Sequence, residues 1–226
     1  MRTQSVLCLP LVCAPWVTAH ASPFSQVPLS LDRHEKCFPD APFGDDGWSH
    51  APVCTDGREY CVYTSSSYNH HHGVSFIASP SAEGEILQLL QKSSLFAEKA
   101  REHLTPGSDL PYEVKEQPGK GRGVFARRLV RKGEEFLVGF PAMVIDQDLE
   151  RGSGPSVSYT ERMKLYRRAY EQLPERNRVL SLAASSGGEV YEDIIKTNGF
   201  GAGIGERRYS GVFPEIAMLN HDCRPK

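Results

Sequence analysis

At 226 residues the chain has room for one sizeable domain, or for one domain with a smaller appendage. Its 39% hydrophobic and 24% charged residues exclude an intrinsically disordered chain, which could not bury enough apolar surface to offset the entropy of ordering. A formal net charge of −2 gives no global attraction for nucleic acid or an anionic membrane. The one basic stretch, ARRLVRKG (126–133), is followed at once by Glu134 and Glu135 and reads as a solvated turn.

The first twenty-one residues carry Arg2, a short apolar run from Val6 to Val17, and Ala19-His20-Ala21. A basic start, an apolar core and an A-x-A site predict a secretory signal peptide cleaved after Ala21; the competing reading is an unstructured leader. The run is too short to span a bilayer, and Pro10 and Pro15 interrupt it. No other segment is apolar enough to cross a membrane.

Cleavage would leave Cys37, Cys54, Cys61 and Cys223. The first three lie near enough in sequence for one disulfide to form among them, with the pairing open. A zinc site built with His70, His71 and His72 is the rival, but no C-x-x-C pair supports it. No metal ligands are therefore assigned, and the His run is expected at an exposed hairpin tip. No N-x-[ST] sequon occurs.

Residues 22–58, rich in Pro, Gly and Asp, predict an extended segment lying on another part of the molecule. EYCVYTSSSYNHHHGVSFIAS (59–79) has two β-branched and aromatic runs about a polar turn, the pattern of a hairpin. Ser79-Pro80 then opens a helix whose Ile86, Leu89, Leu90, Ala97, Ala100 and Leu104 share one face. TPGSDLP (105–111) breaks it and marks a domain boundary.

From Tyr112 short strands alternate with glycines: YEVKE, GVFA, and the apolar run EEFLVGFPAMVI (134–145), kinked at Gly139 and Pro141. A helical block follows. Ser158 and Glu161 form a capping box, and Met163, Tyr166, Tyr170 and Leu173 fall on one face. GEVYEDIIKTNGF (188–200) predicts a further helix stopped at Asn198-Gly199, before the glycine-punctuated run Gly199, Gly201, Gly203, Gly205. The chain closes on PEIAMLNHDCRPK, an apolar helix or strand that delivers Asn220, His221 and Cys223.

Two stretches carry chemistry. PGKGRGVFA places Gly119, Gly121 and Gly123 between two strands, where glycine admits positive φ or close approach of a ligand. It is neither a Walker nor a dinucleotide loop, since no helix follows. The second stretch is Asn220-His221-x-Cys223-x-Pro225. Either alone is weak: a glycine-rich turn and a buried polar corner are both common.

In this order, with short strands and a helical insert between them, GKGRGVFA and NHDCRP resemble the SET-domain protein-lysine methyltransferases. The insert resembles that of the SET-and-MYND and related fungal subgroup, although the cysteine spacing of a MYND zinc finger is missing. The likeness covers about Tyr112 to Lys226, and the first hundred residues take no part in it.

The resemblance implies an S-adenosyl-L-methionine cofactor. Lys120, Gly121 and Arg122 would pass backbone along its methionyl end, Asn220 would bond its amino group, and His221 would hold the adenine. Asn198 is a looser match to a polar residue lining the same pocket. Asp222 and Lys226 depart from the family pattern, where a small residue and an asparagine stand. The implied substrate is a lysine-bearing protein, histone or non-histone. The family's catalytic tyrosine belongs to a later G-E-E-L-x-x-x-Y segment beyond the chain end, so the expectation is an enzyme that is catalytically incomplete as this chain.

The expected fold class is thus α+β: a β-rich partial SET domain over 111–226, with a helical insert about 158–198. A small α/β region of loop, hairpin and helix (22–110) and the leader (1–21) precede it. Two other readings stay open, a non-catalytic protein-binding module built on a SET remnant and a secreted disulfide-containing protein. The leader points to the secretory pathway or cell exterior, whereas the methyltransferase likeness points to nucleus or cytoplasm.

Overall fold

The computed structural model describes residues 47–92, 110–118, 121–134, 136–152, 157–182 and 187–219. It is an α+β arrangement centred on a mixed six-stranded sheet. The predicted hairpin is present: β1 (Val53–Cys54), β2 (Cys61–Ser65) and β3 (Val74–Ala78) form an antiparallel meander. A single turn, α1 (Tyr68–His71), makes the tip between β2 and β3. Asn69, His70 and His71 take positive φ there, and His70 and His71 are exposed as expected. The disulfide joins Cys54 to Cys61, which are also register partners. Cys37 and Cys223 lie outside the described residues.

Pro80–Ala82 forms a 3-10 turn, with Ser79 as its N-cap, that runs into helix α2 (83–92). Its Ile86, Leu89 and Leu90 are buried, whereas Ala97, Ala100 and Leu104 lie outside the described residues. The strands β4 (Tyr112–Gln117) and β5 (Gly121–Ala126) pair antiparallel as a separate two-stranded sheet. The run 134–145 yields less strand than its hydrophobicity suggests, since only β6 (Met143–Asp146) forms. At Gly139 the chain packs on a side chain instead of pairing: a Cβ there would stand 2.6 Å from Ile216 Cγ1.

After β6 comes the short helix α3 (Gln147–Arg151), and the expected helical insert of about 158–198 holds α4 (Tyr159–Glu171), α5 (Arg176–Leu180) and α6 (Val190–Asn198). The capping box at Ser158 and Glu161 is formed, and α6 stops at Asn198 as the sequence predicts. The glycine-punctuated run is strand β7 (Gly199–Ile204), which turns through Gly205 at φ +57 into β8 (Arg207–Val212). A two-residue loop with a left-handed glycine first matches the right-handed twist of the flanking strands.

The order of the large sheet is β1-β2-β3-β6-β8-β7. Here the expected boundary at 105–111 needs correcting. Strands from both sides of it share one sheet, β3 lying parallel to β6 and β8 antiparallel to β6. One face of the sheet presents Val62, Ile77, Met143 and Ile145 to Leu165, Tyr166, Tyr170, Ile194 and their neighbours on the insert. The other presents Tyr63, Phe76 and Val144 to Trp48, Ile86 and Leu89. Burial on both faces explains why apolar residues stand at successive positions of β2, β3 and β6 in place of strict alternation. Of the extended segment expected over 22–58, residues 22–46 lie outside the described residues; Trp48, within the remainder, packs its ring 5.2 Å from that of Tyr63. On the insert side, the paired Thr64 and Ser75 hold the helix: Thr64 Oγ1 donates to Gln172 Oε1 at 2.7 Å and Ser75 Oγ to the Ala169 carbonyl at 2.8 Å.

Candidate functional site

From Gly121 to Ala126 the glycine-rich stretch is the second strand of the β4–β5 pair, and Gly119 lies outside the described residues. Gly121 opposes Gln117 and has φ +70, a conformation that a side chain would strain. Among the described residues a Cβ at Gly121 would meet nothing within 4 Å, so the glycine serves backbone shape. Lys120 lies outside the described residues.

Next to it, Arg122 reaches across to the insert. Its Nη2 donates to the Ser181 carbonyl at 2.7 Å and to Ser181 Oγ at 3.2 Å. Ser181 is the C-cap of α5, where carbonyl groups lack helical partners and attract a cation. One turn earlier on α5, Arg178 pairs with Glu215, and its Nε lies 3.7 Å from Glu175 Oε2. Glu175 in turn holds His72 Nδ1 of the β2–β3 tip at 2.6 Å.

Glu215 belongs to the segment that leads to Asn220. After β8, Ile216–Met218 form a 3-10 turn that packs against β5, with Ile216 filling the space beside Gly139. Burial raises the Tyr112 hydroxyl above its usual pKa, and the neighbouring Glu215 carboxylate adds to the rise. One oxygen of Glu215 takes Arg178; the other, Oε2, is buried with no hydrogen-bond partner among the described residues. A buried acceptor without a donor is costly, and it suits a site that receives a donor from a ligand.

Of the sequence-predicted residues, Gly121 and Arg122 therefore sit on the strand that meets the segment ahead of Asn220. Asn220 and His221 themselves lie outside the described residues. Asn198 is placed differently: it is buried at the end of α6 and its Nδ2 donates to the Ile194 carbonyl at 2.9 Å. That bond serves the helix end. Sequence reasoning missed Arg178, Ser181, Glu215 and Tyr112. Glu215 stands inside the quoted terminal stretch, but its partner is far away in the chain, and such a pairing leaves no local pattern.

Among the described residues no group of three or more His, Cys, Asp and Glu could hold a metal ion. No described helix is long and apolar enough to cross a membrane. The fold and site define an α+β protein with a hairpin, a short helix and a C-terminal segment meeting at one place. No family model, curated protein or solved structure matches the chain.

Proposed function

We propose that the chain is an S-adenosyl-L-methionine-dependent protein-lysine methyltransferase of the SET type. The observation that carries this reading is the packing of the segment before Asn220-His221 against the glycine-rich strand β5. The segment ahead of the second motif thereby lies beside the strand that carries the first, which supports a shared cofactor site. The unencumbered backbone at Gly121 suits a ligand lying along the hairpin turn, and the free oxygen of Glu215 suits an ammonium or hydroxyl donor.

In this reading the cofactor supplies an electrophilic methyl on a sulfonium, and the protein aligns a neutral lysine amine behind it. Little covalent chemistry is asked of the protein, so alignment and exclusion of water carry the rate. Lys120, Gly121 and Arg122 would bind the methionyl end, with Asn220 on the amino group and His221 at the adenine. Asn198, the looser match, would line the same pocket, although its Nδ2 is bonded to the Ile194 carbonyl of its own helix.

The test is calorimetric titration with S-adenosylhomocysteine. Binding that is lost in Asn220→Ala supports the reading. Wild-type chain that binds none of the ligand would sink it.

A second reading rests on the Cys54–Cys61 disulfide. Disulfides persist in oxidising compartments, and the bond supports the leader and a secreted, disulfide-containing protein. Secretion and methyl transfer are decided separately, the former by finding the mature N-terminus at Ser22 in the medium.

A further inference from the structure

We infer that Arg178 is a positioning residue, the latch that sets the segment Phe213–Leu219 against the glycine-rich strand β5. Its functional meaning rests on the cofactor reading above, because Asn220 and His221 follow directly on that segment.

Among the described residues the β4–β5 hairpin has no strand pairing with the large sheet, so no backbone ladder between them fixes where it stands. Its position relative to the C-terminal segment depends on side chains, and two of the polar ties converge on α5. Arg122 of β5 is bound at the end of that helix through Ser181. Glu215 is bound one turn earlier through Arg178. Because Ser181 and Arg178 ride on the same rigid turn, where Ser181 Oγ also donates to the Arg178 carbonyl at 3.3 Å, the helix acts as a gauge between the two motifs.

The Arg178–Glu215 pair is only about a quarter exposed on either side (25% and 26%), so water screens it less than an ordinary surface pair. An arginine fork holds two acceptors in fixed directions, which lysine cannot do. Beside it Glu175, itself tied to His72, stands 3.7 Å from Arg178 Nε as a charge neighbour and not as a hydrogen-bond acceptor. The chain of groups thus runs from the β2–β3 tip through α5 to Glu215. By fixing one carboxylate oxygen, Arg178 also decides where the unpartnered Oε2 points.

Three variants and a control test this. Arg178→Met keeps most of the apolar stem, so a residue that merely packs should tolerate it. Arg178→Lys keeps the charge and loses the fork, and Glu215→Gln removes the partner's charge with little change of shape. Arg167→Met, in an exposed pair with Glu171 on the same insert, is the control.

Hydrogen exchange followed by peptide mass analysis reads the latch directly. We expect faster exchange in 121–126 and 213–219 for Arg178→Met and Glu215→Gln, with the large sheet unchanged. Affinity for S-adenosylhomocysteine should fall about tenfold in Arg178→Met, in line with the coupling between groups of one network. It should recover in part in Arg178→Lys and stay at the wild-type value in Arg167→Met. Unchanged exchange in both segments for both variants overturns the latch. Wild-type chain that fails to bind S-adenosylhomocysteine overturns the cofactor reading instead, and exchange alone then decides the latch. Should Arg178→Met fail to fold, Glu215→Gln carries the same comparison.

Discussion

The large sheet and the β4–β5 hairpin are held by different physics. Strands β2, β3 and β6 are buried along their whole length, with helices or an aromatic anchor on each side. The hairpin is largely exposed or half-buried, and it reaches the rest of the molecule through Arg122, the Tyr112–Phe136 ring contact and the turn at Ile216. Packing fixes the first region redundantly, since each side chain has many neighbours. A few directional contacts fix the second, so it is the part that can adjust around a ligand. Low local contact density and exposed backbone bonds are what permit local opening.

The sharpest way to break this comparison is to truncate one apolar side chain in each region. Ile77 of β3 is fully buried, whereas Val114 of β4 is 39% exposed. Ile77→Ala should cost about 2–5 kcal/mol from lost burial and the cavity left behind. Val114→Ala should fall within about 0.5 kcal/mol. Urea unfolding of both variants measures the difference, and equal losses would mean that the hairpin is as much a part of the core as the sheet.

The same division governs what could be read in the sequence. The hairpin of 59–79, the capping box at Ser158 and Glu161, and the end of α6 at Asn198 each rest on neighbours within a few residues, and each forms as expected. The joining of β3 to β6 was not legible. It is a parallel pairing between strands separated by α2 and the whole β4–β5 hairpin, and a strand's own pattern does not name its partner. That is why a domain boundary was expected where the chain only crosses between strands of one sheet. Arg178 and Glu215 were hidden for a related reason: a cation on a helix and an acid beside a proline look like surface residues until the fold brings them together. The run 134–145 misled differently, since apolar character signals burial and not strand, and Gly139 is buried against a side chain.

A second test lies at the rim of the sheet. The disulfide closes residues 55–60 into a loop whose Asp56 N–H donates to Glu161 Oε1 at 3.2 Å. Glu161 is the same carboxylate that caps α4, so the loop and the helix start share one group. Cys54→Ser should lower stability by about 2–4 kcal/mol, chiefly by freeing the unfolded chain. Denaturation with and without reductant checks it: wild-type chain should fall toward the variant on reduction, and the variant should not respond. The hairpin's exchange rates should stay as they are. If they rise as well, the two regions are coupled more tightly than separate modes of support allow.

The smallest expected effect comes from charge inside the large sheet. Asp146 ends β6, is only 6% exposed, and accepts the Asp148 N–H at 2.9 Å through Oδ1. Burial raises its pKa above the ordinary aspartate value. The bond from Asp148 N–H opposes that rise, the Asp148 charge adds to it, and Arg207 pulls it down again. The net shift is upward, so the folded state binds this proton more tightly than the unfolded chain. Its contribution to stability is complete below the unfolded pKa, near ~4, and is lost as pH rises through the folded value. At neutral pH the ionised carboxylate is therefore a net burden that the surrounding packing tolerates. Asp146→Asn removes the charge while its amide oxygen can still accept the Asp148 N–H. The variant should melt above wild type at pH 7, and the gap should close on acidification below pH ~4. A variant that melts lower at both pH values would show that the carboxylate's hydrogen-bond geometry, and not its charge, governs this end of β6.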